Sequence, residues 1–192
     1  MGIAFSGWAE VYQALSSGPM ADSLHGSKYL SVGGANVNGY MTPETLKGIE
    51  ANLDYVKDAG FVGICFDIEV TQNENQYIPA MNAAFAAVRA KGLKVLVTTS
   101  HSAPIKSRAA RKIVQAWVNS DNIDYLSPQL YSSGKEKAPQ TVASNGVEWG
   151  LWKGAKAVII PSIVDGSHWP ATQKFFQNQG IPLGGYLQWA EC

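Results

Sequence analysis

The sequence predicts an α/β fold in which parallel strands and helices alternate to form a (β/α) barrel of seven to eight strands. Short apolar runs rich in β-branched and aromatic residues alternate with longer amphipathic runs. The apolar runs are continuous, which is typical of strands buried on both faces in a parallel sheet. Repeated strand–helix–strand units also imply right-handed crossovers within one parallel sheet.

The positions of the individual elements follow from these runs and from their boundary residues. The first well-marked helix begins with Thr42 as N-cap and Pro43 at the first helical position, and it stops at Gly60. Further helices are expected over residues 74–91, 104–119 and 169–178. Strands are expected over residues 3–8, 28–32, 62–68, 93–98, 125–130, 157–163 and 185–189.

The length fits a single domain over residues 1–192, because no composition break or charge block divides the chain. A closed eight-fold barrel of the TIM type usually takes about 250 residues. We therefore expect that one strand–helix unit is missing or that the first is abbreviated. The competing fold is an open doubly wound sheet, which places a glycine-rich phosphate loop after its first strand. Residues 9–12 contain no glycine and form no such loop.

Composition and charge narrow the classes of partner. The 15 basic and 15 acidic residues cancel, and no basic run marks a nucleic-acid-binding face. No apolar stretch reaches about 18 residues, so we expect a soluble chain with no membrane partner. The printed sequence has no leader typical of a signal peptide, and secretion of a mature or trimmed form stays open. The 3 histidines and 2 cysteines form no metal-binding pattern, and we expect no metal and no cofactor.

The apolar run of residues 61–69 ends in two acids, Asp67 and Glu69. Side chains alternate along a strand, so both acids share a face with Cys65 and lie about 7 Å apart. The C-terminal end of a barrel strand carries the active site in barrel enzymes. Two adjacent acids in a partly dry pocket hold one proton, as general acid catalysis requires. The alternative is that both acids only cap the strand end; we favour function because they end an otherwise apolar strand.

Four segments, spread in order over residues 26–190, resemble strand motifs of family 18 glycoside hydrolases, the chitinase and hevamine group. Residues 63–69 resemble the end of the fourth-strand signature D-G-x-D-x-D-x-E, and residues 30–34 resemble the third-strand S-x-G-G. Residues 129–131 resemble the sixth-strand Q-x-Y, and residues 184–189 resemble the last strand, whose tryptophan forms the floor of the sugar site. The resemblance implies a barrel fold and a carbohydrate ligand, a chito-oligosaccharide or a related glycan.

The resemblance also implies a mechanism, in which the N-acetyl carbonyl of the substrate itself attacks the anomeric carbon. Glu69 would protonate the glycosidic oxygen, Asp67 would orient the acetamido group as an anion, and Tyr131 would hydrogen-bond its carbonyl oxygen. Trp189 would stack on the sugar. The remaining substrate-binding candidates are Gln129, Ser31, Gly33, Gly34, Trp8 and His101.

The chain departs from the family signature at two acids, which are Val62 and Cys65 here. An unperturbed thiol is neutral at pH 7 and hydrogen-bonds weakly, so we expect one stage of the proton relay to be lost and Asp67 to ionise more readily. A nucleophilic role for Cys65 is the less favoured alternative to a buried core position. Asp165 either lines the pocket or caps the following helix, and we favour the cap.

Three hypotheses remain open from the sequence. The first is a retaining glycoside hydrolase acting on N-acetylglucosamine-containing glycans. The second is a non-catalytic carbohydrate-binding domain, and the third is another enzyme class, such as a lyase or isomerase, that reuses the two acids. Retention of both Asp67 and Glu69 favours an enzyme, because a binding domain needs no proton donor. The replacement at Cys65 and the missing strand unit favour the other two.

Overall fold

A computed structural model describes residues 1–71 and 74–189, with the backbone alone for residues 74 and 75. Within this part the chain forms eight strands, all joined in one sheet. The strands are β1 (Gly2–Ala4), β2 (Lys28–Gly33), β3 (Gly63–Asp67), β4 (Lys94–Ser100), β5 (Tyr125–Gln129), β6 (Val158–Ile159), β7 (Ser162–Ile163) and β8 (Leu187–Gln188). The helices are α1 (Val11–Ser17), α2 (Pro43–Ala51), α3 (Leu53–Asp58), α4 (Glu74–Ala90), α5 (Ala110–Val118) and α6 (Trp169–Asn178).

The order of the strands in the sheet is the order along the chain. The sheet runs β1-β2-β3-β4-β5-β7-β8, with β6 also paired to β5, and the strand pairs are parallel. Each crossover therefore steps in the same direction, and right-handed crossovers of this kind place their connections on one face. A doubly wound sheet would reverse its order part-way. The predicted parallel barrel of seven to eight strands is confirmed as an incomplete, half-barrel form.

The two faces of the sheet carry different side chains. The outer face joins the helices in one large apolar cluster, which includes Leu30, Phe66 and Val97. The inner face has its own buried cluster, whose members all come from strands or strand ends. Its buried members are Tyr29, Cys65, Leu96 and Ile160. Cys65 is therefore a buried residue of the barrel interior, as the sequence predicted.

Between the two ends of the sheet, β1 and β8 form no pairing in the part of the chain that is described. The residues that follow these strands nevertheless meet, because the rings of Phe5 and Trp189 lie edge-on with centroids 5.1 Å apart. The two edges of the half-barrel therefore approach each other at the C-terminal ends of the strands, where the site lies.

Three expected strands are much shorter or divided in the structure, and the one over residues 185–189 is reduced to Leu187–Gln188. The expected strand over residues 3–8 ends at Ala4, and Gly7 adopts a φ of 73° in the turn that follows. The expected strand over residues 157–163 splits into β6 and β7 around Pro161, which has no N–H to donate to a sheet.

The helices also differ from their predicted bounds. The predicted cap is confirmed, because the side chains of Thr42 and Thr45 each accept a hydrogen bond from the other's backbone N–H. The helix expected to run on to residue 60 breaks at Asn52, which leaves helical geometry with φ −116° and ψ 16°. The helix expected from residue 104 begins at Ala110.

Candidate active site

Asp67 and Glu69 lie at the C-terminal mouth of the half-barrel. Asp67 is the last residue of β3 and is 3% exposed, whereas Glu69, two residues later, is partly exposed. Ile68 between them points outward into the apolar cluster under the helices. The predicted alternation therefore places both carboxyls on the inner side, with Asp67 deeper and Glu69 nearer to solvent.

Gln129, the last residue of β5, contacts Asp67 from the second strand along the sheet, with β4 between them. Its Nε2 donates to Asp67 Oδ1 at 3.0 Å and lies 3.3 Å from Thr98 Oγ1 on β4. Gln129 also lowers the pKa of Glu69 as a hydrogen-bond donor. Gln129 is therefore in direct contact with Asp67 and acts on both acids.

Burial raises the pKa of both carboxyls. At Asp67 desolvation is the largest cause, and the charge of Glu69 raises that pKa further, to well above its ordinary value. At Glu69 desolvation also raises the pKa, while hydrogen bonds from Gln129 and Asp67 lower it. The pair therefore retains a proton to a higher pH than an isolated carboxyl does. The expectation that Asp67 ionises more readily than it would with an acid at position 65 stays a prediction.

Cys65 lies beneath the acids on the same face of β3. Burial and the nearby charge of Asp67 raise the pKa of its thiol well above the ordinary value, although Ser31 on β2 hydrogen-bonds to it. Cysteine reacts as a nucleophile, and binds metals, in its thiolate form. A thiol that stays neutral is therefore unreactive. The structure thus agrees with the core interpretation of Cys65 over the nucleophilic one.

Gly33 and Gly34 allow β2 to approach the end of β3 closely. Gly33 adopts a φ of 110°, and a Cβ there would collide with the carbonyl oxygen of Asp67. The Gly34 N–H donates to that same carbonyl at 2.9 Å. Both glycines therefore fix the backbone beside the acid pair, and their contact with a substrate stays a prediction.

Tyr131 and Trp189 form an aromatic wall of the site together with Phe5. The ring centroids of Tyr131 and Trp189 lie 5.7 Å apart, and Trp189 and Phe5 are 42% and 44% exposed. The Tyr131 hydroxyl lies 3.1 Å from Ser162 Oγ. Burial raises the pKa of the Tyr131 phenol, and the charges of Asp67 and Glu69 raise it further. The phenol therefore interacts electrostatically with both acids.

His101, Trp8 and Asp165 lie around this centre without contacting the acids in any described interaction. The imidazole of His101 bonds to Ser100 Oγ and to Gln140 Oε1, each at 3.1 Å. The indole of Trp8 packs partly on the apolar core, while its carbonyl accepts from the Gly33 N–H at 2.8 Å. Asp165 accepts from the Ser167 N–H at 2.8 Å, which confirms the predicted cap.

Sequence reasoning missed Phe5, Thr98 and Ser162. Thr98 and Ser162 are small polar residues at or near the ends of strands, and both are buried. Buried hydroxyls usually have hydrogen-bond partners, so their polar character at strand ends was the available signal. Phe5 carried no signal, because its partner Trp189 lies at the other end of the chain. Within residues 1–71 and 74–189 no group of three or more His, Cys, Asp or Glu side chains is arranged to hold a metal ion. None of the helices described has the length and apolar character needed to cross a bilayer.

No protein-family model matches the sequence, and no curated protein sequence matches it. Among solved structures, a chitinase from Chromobacterium violaceum is similar to this chain, with 18% sequence identity and a TM-score of 0.46. The similarity covers 79% of this chain and 57% of that chitinase. This chain thus spans less than two thirds of the length of that chitinase.

Proposed function

We propose that the protein is a glycoside hydrolase that cleaves N-acetylglucosamine-containing glycans by substrate-assisted retention, with Glu69 as general acid. The observation that carries the proposal is the Asp67–Glu69 pair, which retains a proton at the mouth of the barrel and exposes only Glu69. A general acid must receive a transferable proton and reach the substrate; the pair holds that proton, which can pass from Asp67 to Glu69, and Glu69 is the member nearer to solvent.

In the proposed reaction the proton leaves through Glu69 to the glycosidic oxygen. The acetamido oxygen of the substrate attacks the anomeric carbon as the bond to the leaving sugar breaks, and a positively charged oxazolinium forms. Asp67 is then an anion beside that cation. Burial disfavours the Asp67 anion in the resting state, and the positive charge of the oxazolinium offsets that cost when the intermediate forms.

Tyr131 has the chemistry to hold the acetamido carbonyl oxygen. If Ser162 Oγ donates to the Tyr131 hydroxyl across their 3.1 Å contact, the phenolic hydrogen stays free for a ligand. Trp189 offers an exposed indole face beside it, and aromatic faces pack well on the apolar faces of sugars. Water then opens the intermediate with the Glu69 carboxylate as base, and the anomeric configuration is retained.

A carbohydrate-binding domain without turnover is the second candidate function. The neutral, buried Cys65 thiol favours it, because it cannot take part in moving a proton below Asp67. The exposed aromatic wall serves binding as well as catalysis. A different enzyme class that reuses the two acids is the third possibility, and the same experiment separates all three.

The test is an assay of the wild-type protein over a pH series on N-acetylglucosamine oligomers and on unacetylated glucans. We expect cleavage of the acetylated oligomers alone, with the β-anomer released first from a β-linked substrate. Glu69→Gln keeps the size of the side chain but removes the proton, so the rate should fall by about 10²-fold or more while binding survives. Glu148→Gln, at an exposed position away from the pair, should leave the rate unchanged. Binding without any product at any pH would favour the binding domain, and neither binding nor cleavage would favour a different chemistry.

A further inference from the structure

We propose that Gln129 is a positioning residue that controls the protonation state of the Asp67–Glu69 pair, and not a substrate-binding residue. Its contribution to turnover rests on the function proposed above. Its effect on the two acids rests on its hydrogen bond to Asp67 and its orientation by Thr98, and can be tested without any substrate.

Thr98 fixes the orientation of the Gln129 amide. The hydroxyl hydrogen of Thr98 goes to the Ser127 carbonyl at 2.7 Å, so its oxygen faces Gln129 as an acceptor. The group 3.3 Å from that oxygen must be the amide nitrogen, and the same nitrogen lies 3.0 Å from Asp67 Oδ1. The amide therefore directs its hydrogens at the acid pair, and this follows from hydrogen-bond chemistry without reference to an assigned flip.

The backbone on either side of Gln129 is held as firmly as its side chain. The Gln129 carbonyl accepts from the His101 N–H at 2.9 Å, and the Leu130 N–H donates to Ser162 O at 2.8 Å. Gln129 also pairs in register with Ser100 on β4. Because the strand is fixed on both sides, the side chain loses little conformational entropy when it forms its hydrogen bonds. A residue on such a strand is better suited to a positioning role than a residue on a loop.

The Gln129 amide lowers the pKa values of the two acids, whereas burial raises both. Burial and mutual repulsion favour the protonated forms, whereas an N–H donor favours the ionised ones. The other titratable groups that face the pair are Cys65 below it and Tyr131 at the end of β5. Among the described residues no lysine, arginine or histidine contributes to the pKa of either acid. Gln129 is thus the neighbour outside the pair that lowers the pKa of both carboxyls.

The sign of the effect follows from this arrangement. Activity requires one proton in the pair, so it falls at low pH when a second proton binds and at high pH when the shared proton leaves. Removing the amide donor raises both apparent pKa values. Both limbs of the pH profile should then move to higher pH together.

The experiment compares wild type with Gln129→Met, which keeps the length of the side chain but removes its donors. The carboxyl carbons of Asp67 and Glu69 are followed by carbon-13 NMR during a pH titration, and the pH dependence of kcat/KM is measured beside it. Gln140→Met is the matched control, because Gln140 is a partly buried glutamine at the same mouth that bonds to His101 and Ser132 instead of the acids.

We expect Gln129→Met to move both titrations upward by about one pH unit, as loss of a hydrogen bond to a charged group predicts, and Gln140→Met to leave them in place. KM should change little. Unmoved titrations in Gln129→Met, or a raised KM with an unmoved pH profile, would overturn the proposal. If Gln129→Met does not fold, Thr98→Val decides, since it frees the amide to turn and should shift the titrations in the same direction. If wild type has no activity, the proposed function fails while the titration still decides the role of Gln129.

Discussion

At position 65 the strand carries a cysteine, where an acid would extend the series of Asp67 and Glu69 on the same face. Cys65 is 2% exposed and shares its layer with Tyr29, Leu96 and Ile160. A carboxyl at this position would add a third titratable group directly below Asp67. It would also place a polar group in an apolar layer, which costs stability unless it is hydrogen-bonded.

We therefore expect Cys65→Asp to raise activity or broaden its pH range, and to lower the melting temperature. The reason is that the added carboxyl at position 65 can exchange a proton with Asp67, while burial of this carboxyl lowers stability. Hydrolysis rates over pH and thermal unfolding measure the two effects. Cys65→Ser is the control of similar size, and an equal gain in activity from serine would contradict a role for the added acid.

Asp67 tests the electrostatic part of the proposed mechanism. Asp67→Asn keeps the acceptor for Gln129 Nε2 but removes the charge that would face the cationic intermediate. We expect kcat to fall by about 10²-fold or more, as for the loss of one preorganised electrostatic contact. Steady-state kinetics at several pH values measure it. A kcat within a few-fold of wild type would argue against a charged Asp67 in the reaction.

At the scale of the elements, the aromatic wall is the feature that joins the two edges of the sheet. Phe5 follows β1 and Trp189 follows β8, and their edge-on contact holds the exposed indole beside Tyr131. Gly134 also lies against the indole, where a Cβ would come within 2.6 Å of its Nε1. Trp189 thus contacts both Phe5, which follows β1, and the loop that contains Gly134.

Phe5→Ala should weaken binding of N-acetylglucosamine oligomers by about fivefold, because an aromatic contact of this kind is worth about 1 kcal/mol. Isothermal titration calorimetry measures the loss. Tyr12→Ala is the control, since Tyr12 is an exposed aromatic on α1 that contacts Tyr55 instead of the site. Equal losses in the two variants would mean that Phe5 does not support the sugar-binding surface.

How far the sequence predicted these elements depended on the range of the interactions. The strand cores and the shared face of Asp67 and Glu69 were predictable, because continuous apolar runs and the two-residue period are local properties. The break at Asn52 and the split at Pro161 are departures of one or two residues inside good patterns. The contact of Gln129 with Asp67 joins residues 62 apart, and no local pattern encodes its geometry. Only the resemblance in chain order placed Gln129 near the site.

At the scale of the whole molecule, the acid pair should make stability depend on pH. Asp67 has a folded-state pKa raised well above its unfolded value. Its contribution is therefore fully present below the unfolded pKa and is lost as pH rises through the folded pKa. At neutral pH the burial of Asp67 therefore lowers the free energy of unfolding of the wild type. Such a loss of stability is expected at a site that is arranged for function.

Asp67→Asn should consequently raise the melting temperature at neutral pH and give little gain at acidic pH. The gain should grow as pH rises from the unfolded pKa of about 3.9 and level off above the folded pKa. Each kcal/mol relieved corresponds to about 2–4 °C in a chain of this size. Thermal unfolding followed by circular dichroism over a pH series measures it. A gain that is the same at every pH would assign the effect to packing instead of ionisation.

A crystal structure of Glu69→Gln soaked with an N-acetylglucosamine oligomer would show whether the cleft of Asp67, Glu69, Tyr131 and Trp189 receives an N-acetylated sugar. We expect a sugar ring on the Trp189 indole, with its acetamido group within hydrogen-bond distance of both Asp67 and the Tyr131 hydroxyl. Residue 69 should lie beside the glycosidic oxygen. A sugar bound away from the acid pair, or an acetamido group that reaches neither Asp67 nor Tyr131, would rule out the proposed site.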